Sequence, residues 1–485
     1  MSIIRKYRQL PIQVKASLWF LVTSFLQKGI SVLTTPIFTR LLSTTEYGQY
    51  NVFSSWLSIA TVFVSLNLYS GMYVSGLVKH GEDRNVFSSS LQGLCMTLAL
   101  AWTGIYSLFR EPVNRLMSLS TVQVLAMLVM IWATSAYSFW AAEQRVELRY
   151  RALVTVAITA SVCKPLVGII FVLNADDKVT ARILGLAVVE IAAYSVCFAS
   201  QMKRGGKFYS ASYWREALIF CLPLIPHYLS ASVLNSADRI MIERMEGAAA
   251  AGIYSLAYSL SQIMRLFNTA LAQTIEPWLY KQIKKGALDS LQRVAYPSWT
   301  LIGALNLLLI AFAPEAVAVF APKSYYDAIW VIPPVAISVY YIFLYSFFAV
   351  FEFYYGKTNY IAVATTAGAV LNVLLNYVFI RMFGYYAAGY TTLICYMLYA
   401  VMHYLFMMKI VKEECAVSTV YHRKFLLGLS FSVTFLGIAL LFLYRYPIIR
   451  YAIILLAFSA MIVGRKRIVS MVHEIISVKK RESAE

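Results

Sequence analysis

Charge is scarce in this chain: Asp, Glu, Lys and Arg make up only 13% of its 485 residues, about half the share of an average soluble domain. So little charge cannot clothe a water-facing surface of this size, which excludes an ordinary soluble globular domain. Cysteine is sparse and scattered. Cys95, Cys163, Cys197, Cys221, Cys395 and Cys415 form no CxxC pair, and most fall inside apolar stretches, so neither a disulfide framework nor a zinc site is indicated. The five histidines show no ligand spacing, which removes the simplest metal-enzyme readings. No long polar segment separates the apolar runs, so there is no room for a soluble domain or a large outer loop.

What the chain has instead is hydrophobic residues, 60% of the total, in runs long enough to cross about 30 Å of hydrocarbon. They predict an all-α polytopic membrane protein with about fourteen spans, at 16–39, 50–77, 88–109, 120–142, 152–173, 180–201, 217–237, 251–276, 295–320, 328–351, 360–380, 387–409, 424–444 and 447–463. Pro333 and Pro334 predict a bend in the tenth. The first run follows Arg5, Lys6, Arg8 and Lys15 like a signal sequence, but it is long and lacks a small-residue cleavage site, so it is expected to remain as the first span. The net charge of +19 comes from short basic clusters between spans, as expected of loops beside an anionic leaflet, and not from a nucleic-acid surface. Lys and Arg concentrate in alternate loops when the N-terminus is placed inside, so both termini are expected to be cytoplasmic. Lys281, Lys284, Lys285 and Arg293, interleaved with Ile283, Leu288 and Leu291, predict an amphipathic interfacial helix, and Ile468 to Ile476 predict another.

The chain repeats itself. Arg40, Gly48 and Tyr50 lead from the first span into the second, and Arg244, Gly252 and Tyr254, at the same spacings, lead from the seventh into the eighth. Recurrence after six spans implies two six-helix bundles in the same orientation. The expected division is an N-terminal lobe at 1–210, a C-terminal lobe at 211–412, two added spans at 413–463 and a basic cytoplasmic tail at 464–485.

The stretch Thr35-Pro36-Ile-Phe-Thr-Arg40-Leu-Leu-Ser43 through Glu46-Tyr47-Gly48-Gln-Tyr50, with Ala237-Asp238-Arg239 and Gly252-Ile-Tyr254-Ser255-Leu256-Ala257-Tyr258, resembles the two signatures of the polysaccharide-transporter branch of the multidrug/oligosaccharidyl-lipid/polysaccharide (MOP) exporters. The Wzx-type O-antigen flippases belong to that branch. The resemblance implies a V-shaped, MATE-like pair of six-helix lobes around a central cationic cavity open alternately to each side. It implies as partners a polyprenyl-diphosphate-linked oligosaccharide, membrane lipids, a polysaccharide polymerase and a chain-length regulator.

Charges placed inside spans are costly, about 2.5 to 3.5 kcal/mol on insertion scales, and usually face a cavity or a partner. Lys28 shares a helical face with Ser24, Ser31 and Thr35, and Arg265 shares one with Ser255, Ser259, Gln262, Thr269 and Gln273. If the repeat holds, both cations lie on equivalent helices and can meet one diphosphate, which an Arg fork binds bidentately. Each also has a purely structural alternative, pairing with a carboxylate or carbonyl. Lys164 and Glu190 sit at similar depth on antiparallel spans and predict an ion pair, with Glu190 the best embedded acid for a coupling ion, H+ or Na+. No other cofactor is expected. Arg40 and Arg239, at the outer ends of corresponding spans, are candidates for an outer gate, with snorkelling as the alternative. Asn372 and Asn376 form one polar face, suited to sugar binding or to helix pairing.

The reading is a flippase of the bacterial inner membrane that moves lipid-linked repeat units outward for O-antigen or capsule assembly. A multidrug efflux antiporter is the first alternative, although the embedded charges are mostly positive. A membrane polysaccharide polymerase or ligase is the second, although the outer domain such enzymes use is missing.

Overall fold

The computed structural model describes residues 11–415 and 419–463, and every regular element among them is helical. The tail helix predicted at 468–476 lies outside the described residues. Among the described residues eleven helical segments are long and apolar enough to cross a membrane. The chain divides into two compact units, Met1–Glu243 and Arg244–Glu485.

The first unit contains α1 (Ile12–Leu41), α2 (Thr44–Ser65), α3 (Gly71–Lys79), α4 (Arg84–Leu108), α5 (Arg110–Met117), α6 (Thr121–Val146), α7 (Tyr150–Leu173), α8 (Lys178–Gly205), α9 (Ala211–Cys221) and α10 (Ile225–Glu246). One core cluster joins α2, α4, α6 and α8 through Phe53, Tyr106, Met127, Ile131 and Ile183. A second is aromatic. Tyr73 of α3 stacks on Phe87 of α4 at 5.8 Å and meets Phe139 of α6 edge-on at 4.8 Å. Helices α7 and α8 touch backbone to backbone, because a Cβ on Gly185 would lie 2.9 Å from the Cα of Gly168. Small residues permit this approach where lipid supplies no hydrophobic drive to press helices together.

The second unit contains α11 (Ala248–Ser261), α12 (Ile263–Lys284), α13 (Leu291–Ala311), α14 (Ala313–Phe320), α15 (Ile332–Tyr354), α16 (Thr358–Phe383), α17 (Tyr386–Cys415), α18 (Arg423–Phe442) and α19 (Pro447–Val463). Its centre is α15, apolar around its whole circumference and buried for most of its length. A helix of that composition is covered by other helices rather than by one face of lipid. Trp299 of α13 packs on it edge-to-face through Phe347 at 5.3 Å.

Several predicted spans are interrupted, each for a local reason that hydropathy does not register. The run 50–77 is two helices: α2 starts earlier, at a Ser43–Glu46 capping box, and stops where Leu66 and Asn67 take positive φ of 49° and 47°. The run 251–276 breaks at Gln262, whose carbonyl accepts from the Arg265 amide. The run 295–320 turns at Phe312, ahead of Pro314. Pro223 falls in a short 3-10 turn between α9 and α10, and Pro226 in the first turn of α10. The bend predicted at Pro333 and Pro334 is absent, because both occupy the first turn of α15, where a missing N–H costs nothing. The interfacial helix predicted around 281–293 is not separate. Instead α12 runs on to Lys284, and Ile283, Leu288 and Leu291 are buried where α12 meets α13.

Candidate functional site

The signature that opens the first unit builds a corner. Ser43 Oγ accepts from the Glu46 amide and Glu46 Oε2 accepts from the Ser43 amide at 2.7 Å, which fixes the turn from α1 into α2. The corner presents Phe38 and Tyr50 to Arg182 of α8, whose guanidinium carbon lies 3.8 Å and 3.5 Å from the two ring centroids. Desolvated stacking of this kind contributes about 2 kcal/mol. Arg40 itself is exposed and donates to the Pro36 carbonyl at 2.8 Å. Arg239, near the end of α10, makes the same kind of bond to Asn235 at 3.0 Å, beside the buried Asp238.

Lys28 stands near the middle of α1, exposed, and no carboxylate among the described residues forms an ion pair with it. Its companions Ser24 and Thr35 return their hydroxyls to the carbonyls of Phe20 and Ser31, both at 3.0 Å. The stripe is therefore a polar face whose own hydrogen bonds leave the lysine as its one strong donor. Lys164 and Glu190 come together: Nζ lies 2.7 Å from Oε1, Thr134 donates to Oε2 at 3.3 Å, and Nζ also lies 5.3 Å from the Tyr194 ring centroid. Glu190 is buried and Lys164 half-buried.

In the second unit Arg265 lies near the start of α12 among the phenols of Tyr258, Tyr345 and Tyr396. Thr269 turns back to the Arg265 carbonyl at 2.7 Å. Asn372 and Asn376 are fully buried between α16 and α17. Asn376 Nδ2 donates to Asn372 Oδ1 at 3.2 Å, and Thr391 donates to Asn376 Oδ1. Lys28 and Arg265 belong to different units.

Two charged assemblies, each built on a buried acid, have no sequence signal. Glu143 of α6, fully buried, takes Arg204 Nη1 at 2.6 Å and Nη2 at 2.7 Å, and Gln201 Nε2 at 2.7 Å. Gln201 Oε1 accepts in turn from Gln92 at 2.7 Å, so the cluster ties α4, α6 and α8 together. In the second unit Glu352 Oε1 and His403 Nδ1 are 2.7 Å apart, both essentially unexposed. The partners are 61 and 51 residues apart, beyond the reach of any helical periodicity.

The profile of the polysaccharide biosynthesis protein family matches residues 14–282, more than half of the chain. A protein of the Lsg locus of Haemophilus influenzae is 24% identical over 385 residues, covering 74% of this chain and 89% of that protein. Among solved structures, an inward-facing multidrug resistance MATE family transporter of the MOP superfamily superposes with a TM-score of 0.62 at 14% identity, covering 80% of this chain and 96% of that one. The lipid II flippase MurJ in an inward closed conformation gives 0.60 at 17% identity, covering 94% and 100%. The chain is thus a multi-pass membrane protein that belongs to the polysaccharide biosynthesis protein family and has the fold of the MOP-superfamily transporters.

Proposed function

We propose that this protein is an inner-membrane flippase that carries polyprenyl-diphosphate-linked oligosaccharide repeat units to the outer face by alternating access, coupled to H+ or Na+, for O-antigen or capsule assembly. The observation that carries the reading is Lys28, a mid-helix cation of a membrane span with no ion-pair partner among the described residues. A lysine kept inside the bilayer region without a carboxylate is expensive unless it meets water or an anion. A diphosphate is such an anion, and its charges need cationic donors along the whole crossing. Arg265 supplies a second cation in the other unit. The membership in a polysaccharide biosynthesis family and the likeness to a lipid II flippase both support this substrate class.

The likeness to multidrug transporters favours efflux as the second reading. Cationic drugs would call for embedded acids without cations, whereas Glu143 and Glu190 are each paired with one. The test is a strain that depends on this protein for its surface polysaccharide. Lys28→Ala and Arg265→Ala are expected to abolish the polysaccharide while the protein accumulates normally. Wild-type polysaccharide in both variants removes these assignments. Increased drug susceptibility on deletion, with surface polysaccharide intact, replaces the flippase by the efflux reading.

A further inference from the structure

We propose that Glu352 and His403 form a proton-binding site in the second unit, and that the proton it holds sets the charge facing Arg265. The proposal extends the flippase reading above, since it gives Arg265 an anionic competitor for its substrate.

The pair is enclosed: Glu352 is 0% and His403 1% exposed. It makes one mutual hydrogen bond, and the remaining polar atoms, Glu352 Oε2 and His403 Nε2, are buried with no hydrogen-bond partner among the described residues. With Nδ1–H donating to Oε1, the pair carries a charge of −1, and Nε2 keeps a free lone pair. One proton from water, placed on Nε2 or on Oε2, takes the charge to zero without breaking the Nδ1–Oε1 contact. A pair that served only to hold α15 to α17 would normally have both outer atoms satisfied, because each buried unpaired polar atom costs about 1 to 3 kcal/mol. Here the two orphaned atoms are the two that would accept the proton.

The surroundings carry the charge onward. The His403 ring stacks on Tyr345 at 5.1 Å and 17°, and meets Tyr399 edge-on at 4.4 Å. Tyr345 in turn faces Arg265. From α16 come Thr365, bonded to the Tyr399 hydroxyl at 3.0 Å, which does not titrate, and Tyr360, stacked at 4.6 Å on the Phe406 ring that meets His403 and carrying Lys409 at 5.5 Å. From α12 come Tyr280, stacked on Tyr354 at 6.2 Å, and Glu276 beside it. From α11 and α17 come Tyr258 and Tyr396, which also face Arg265. Helices α13 and α18 reach other faces of α15, at Phe347, Tyr340 and Tyr341. Tyr404 is turned to Phe348, and Lys357, just past the end of α15, pairs with Glu414 at 3.2 Å. Lys409 is exposed to solvent, so the cation held inside the unit and coupled to the pair through ring contacts is Arg265. When the pair is −1 it offsets the guanidinium and weakens its hold on an anion. When the pair is protonated that offset is lost and the guanidinium holds an anion more strongly.

The experiment uses the full-length protein in lipid nanodiscs, with farnesyl diphosphate as the probe. Infrared difference spectra and histidine NMR follow the pair across about pH 5 to 8, with Glu352→Gln and His403→Asn assigning the signals, and chromatographic monodispersity confirming that each variant is folded. A signal that titrates in the wild type and vanishes in both variants is the expected result. Farnesyl diphosphate should bind Glu352→Gln about tenfold more tightly than wild type at the alkaline end, a difference of about 1.4 kcal/mol, and equally at the acid end. Both proteins see the same ionisation of the probe, so the comparison isolates the pair. A pair that does not titrate in this window overturns the proposal and leaves the flippase reading standing. A pair that titrates while neither protein binds farnesyl diphosphate supports the proton site and overturns the flippase reading. Equal affinities at every pH overturn the link to Arg265.

Discussion

The guanidinium of Arg182 is held 3.5 Å from the ring centroid of Tyr50 and 3.8 Å from that of Phe38. The signature residues of the first corner thus act on a side chain more than a hundred positions downstream, in α8. Arg182 is buried, and a buried cation without its aromatic faces loses the interaction that compensates its desolvation.

Tyr50→Ala is therefore expected to cost about 2 kcal/mol and to lower the melting temperature of the purified protein. Tyr50→Phe keeps the ring and should melt close to wild type. An unchanged melting temperature for Tyr50→Ala would show that the stacking contributes nothing and that the signature serves something other than the corner.

A larger effect is expected at Glu143. Its carboxylate is fully buried and takes both Arg204 Nη atoms, so Glu143→Ala leaves a guanidinium without its counter-charge. Arg204 is 31% exposed and can regain water, so the cost is that of the lost charged hydrogen bonds to Arg204 and to the buried Gln201, about 1.5 to 3 kcal/mol each, enough to lower accumulation of the protein in membranes. Glu143→Gln retains an acceptor and should accumulate at an intermediate level. Immunoblots of membrane fractions read both.

The sequence showed the class of fold because apolar length and loop charge report directly on the bilayer, and the corner residues Arg40, Gly48 and Tyr50 were visible through their repeat spacing. The helix breaks were not visible. Leu66 takes a left-handed backbone that its side chain does not favour, beside Asn67, and Gln262 is one of several polar residues in its run, with nothing to mark it as the break. Within the candidate site, Lys28, Lys164, Glu190 and Arg265 stood out because a charge inside an apolar run is conspicuous on its own. The Glu143 and Glu352 assemblies were hidden because each acid lies near a helix end, where a charge is unremarked, and its partner comes from another helix.

Close approach of α7 and α8 gives a prediction that depends on size alone. A Cβ at Gly185 would lie 2.9 Å from the Gly168 Cα and 3.1 Å from its amide nitrogen. Backbone atoms cannot move aside as a flexible side chain can, so Gly185→Val must separate the two helices. Overpacking of this kind costs about 1 to 3 kcal/mol. The expected readouts are a lower melting temperature and faster proteolysis in the 150–205 region, while Gly168→Ala, at a site whose nearest neighbours are side chains at 3.4 Å and beyond, should be tolerated. Equal protease resistance in Gly185→Val and wild type would show that the helices are not held in contact.

Lys164 and Glu190 allow stability and coupling to be separated. Glu190→Gln leaves the Lys164 ammonium facing an amide at 2.7 Å in place of a carboxylate, so the single variant should accumulate poorly. Adding Lys164→Met removes the uncompensated charge, and replacing a buried pair by apolar groups is often neutral or stabilising. The double variant is expected to return to wild-type protein levels. If Glu190 takes up the coupling ion, the restored protein still fails to produce surface polysaccharide, because the acid that binds the ion is gone. Restoration of polysaccharide together with protein level would reduce the pair to a tie between α7 and α8 and would leave the coupling role to be sought elsewhere in the chain.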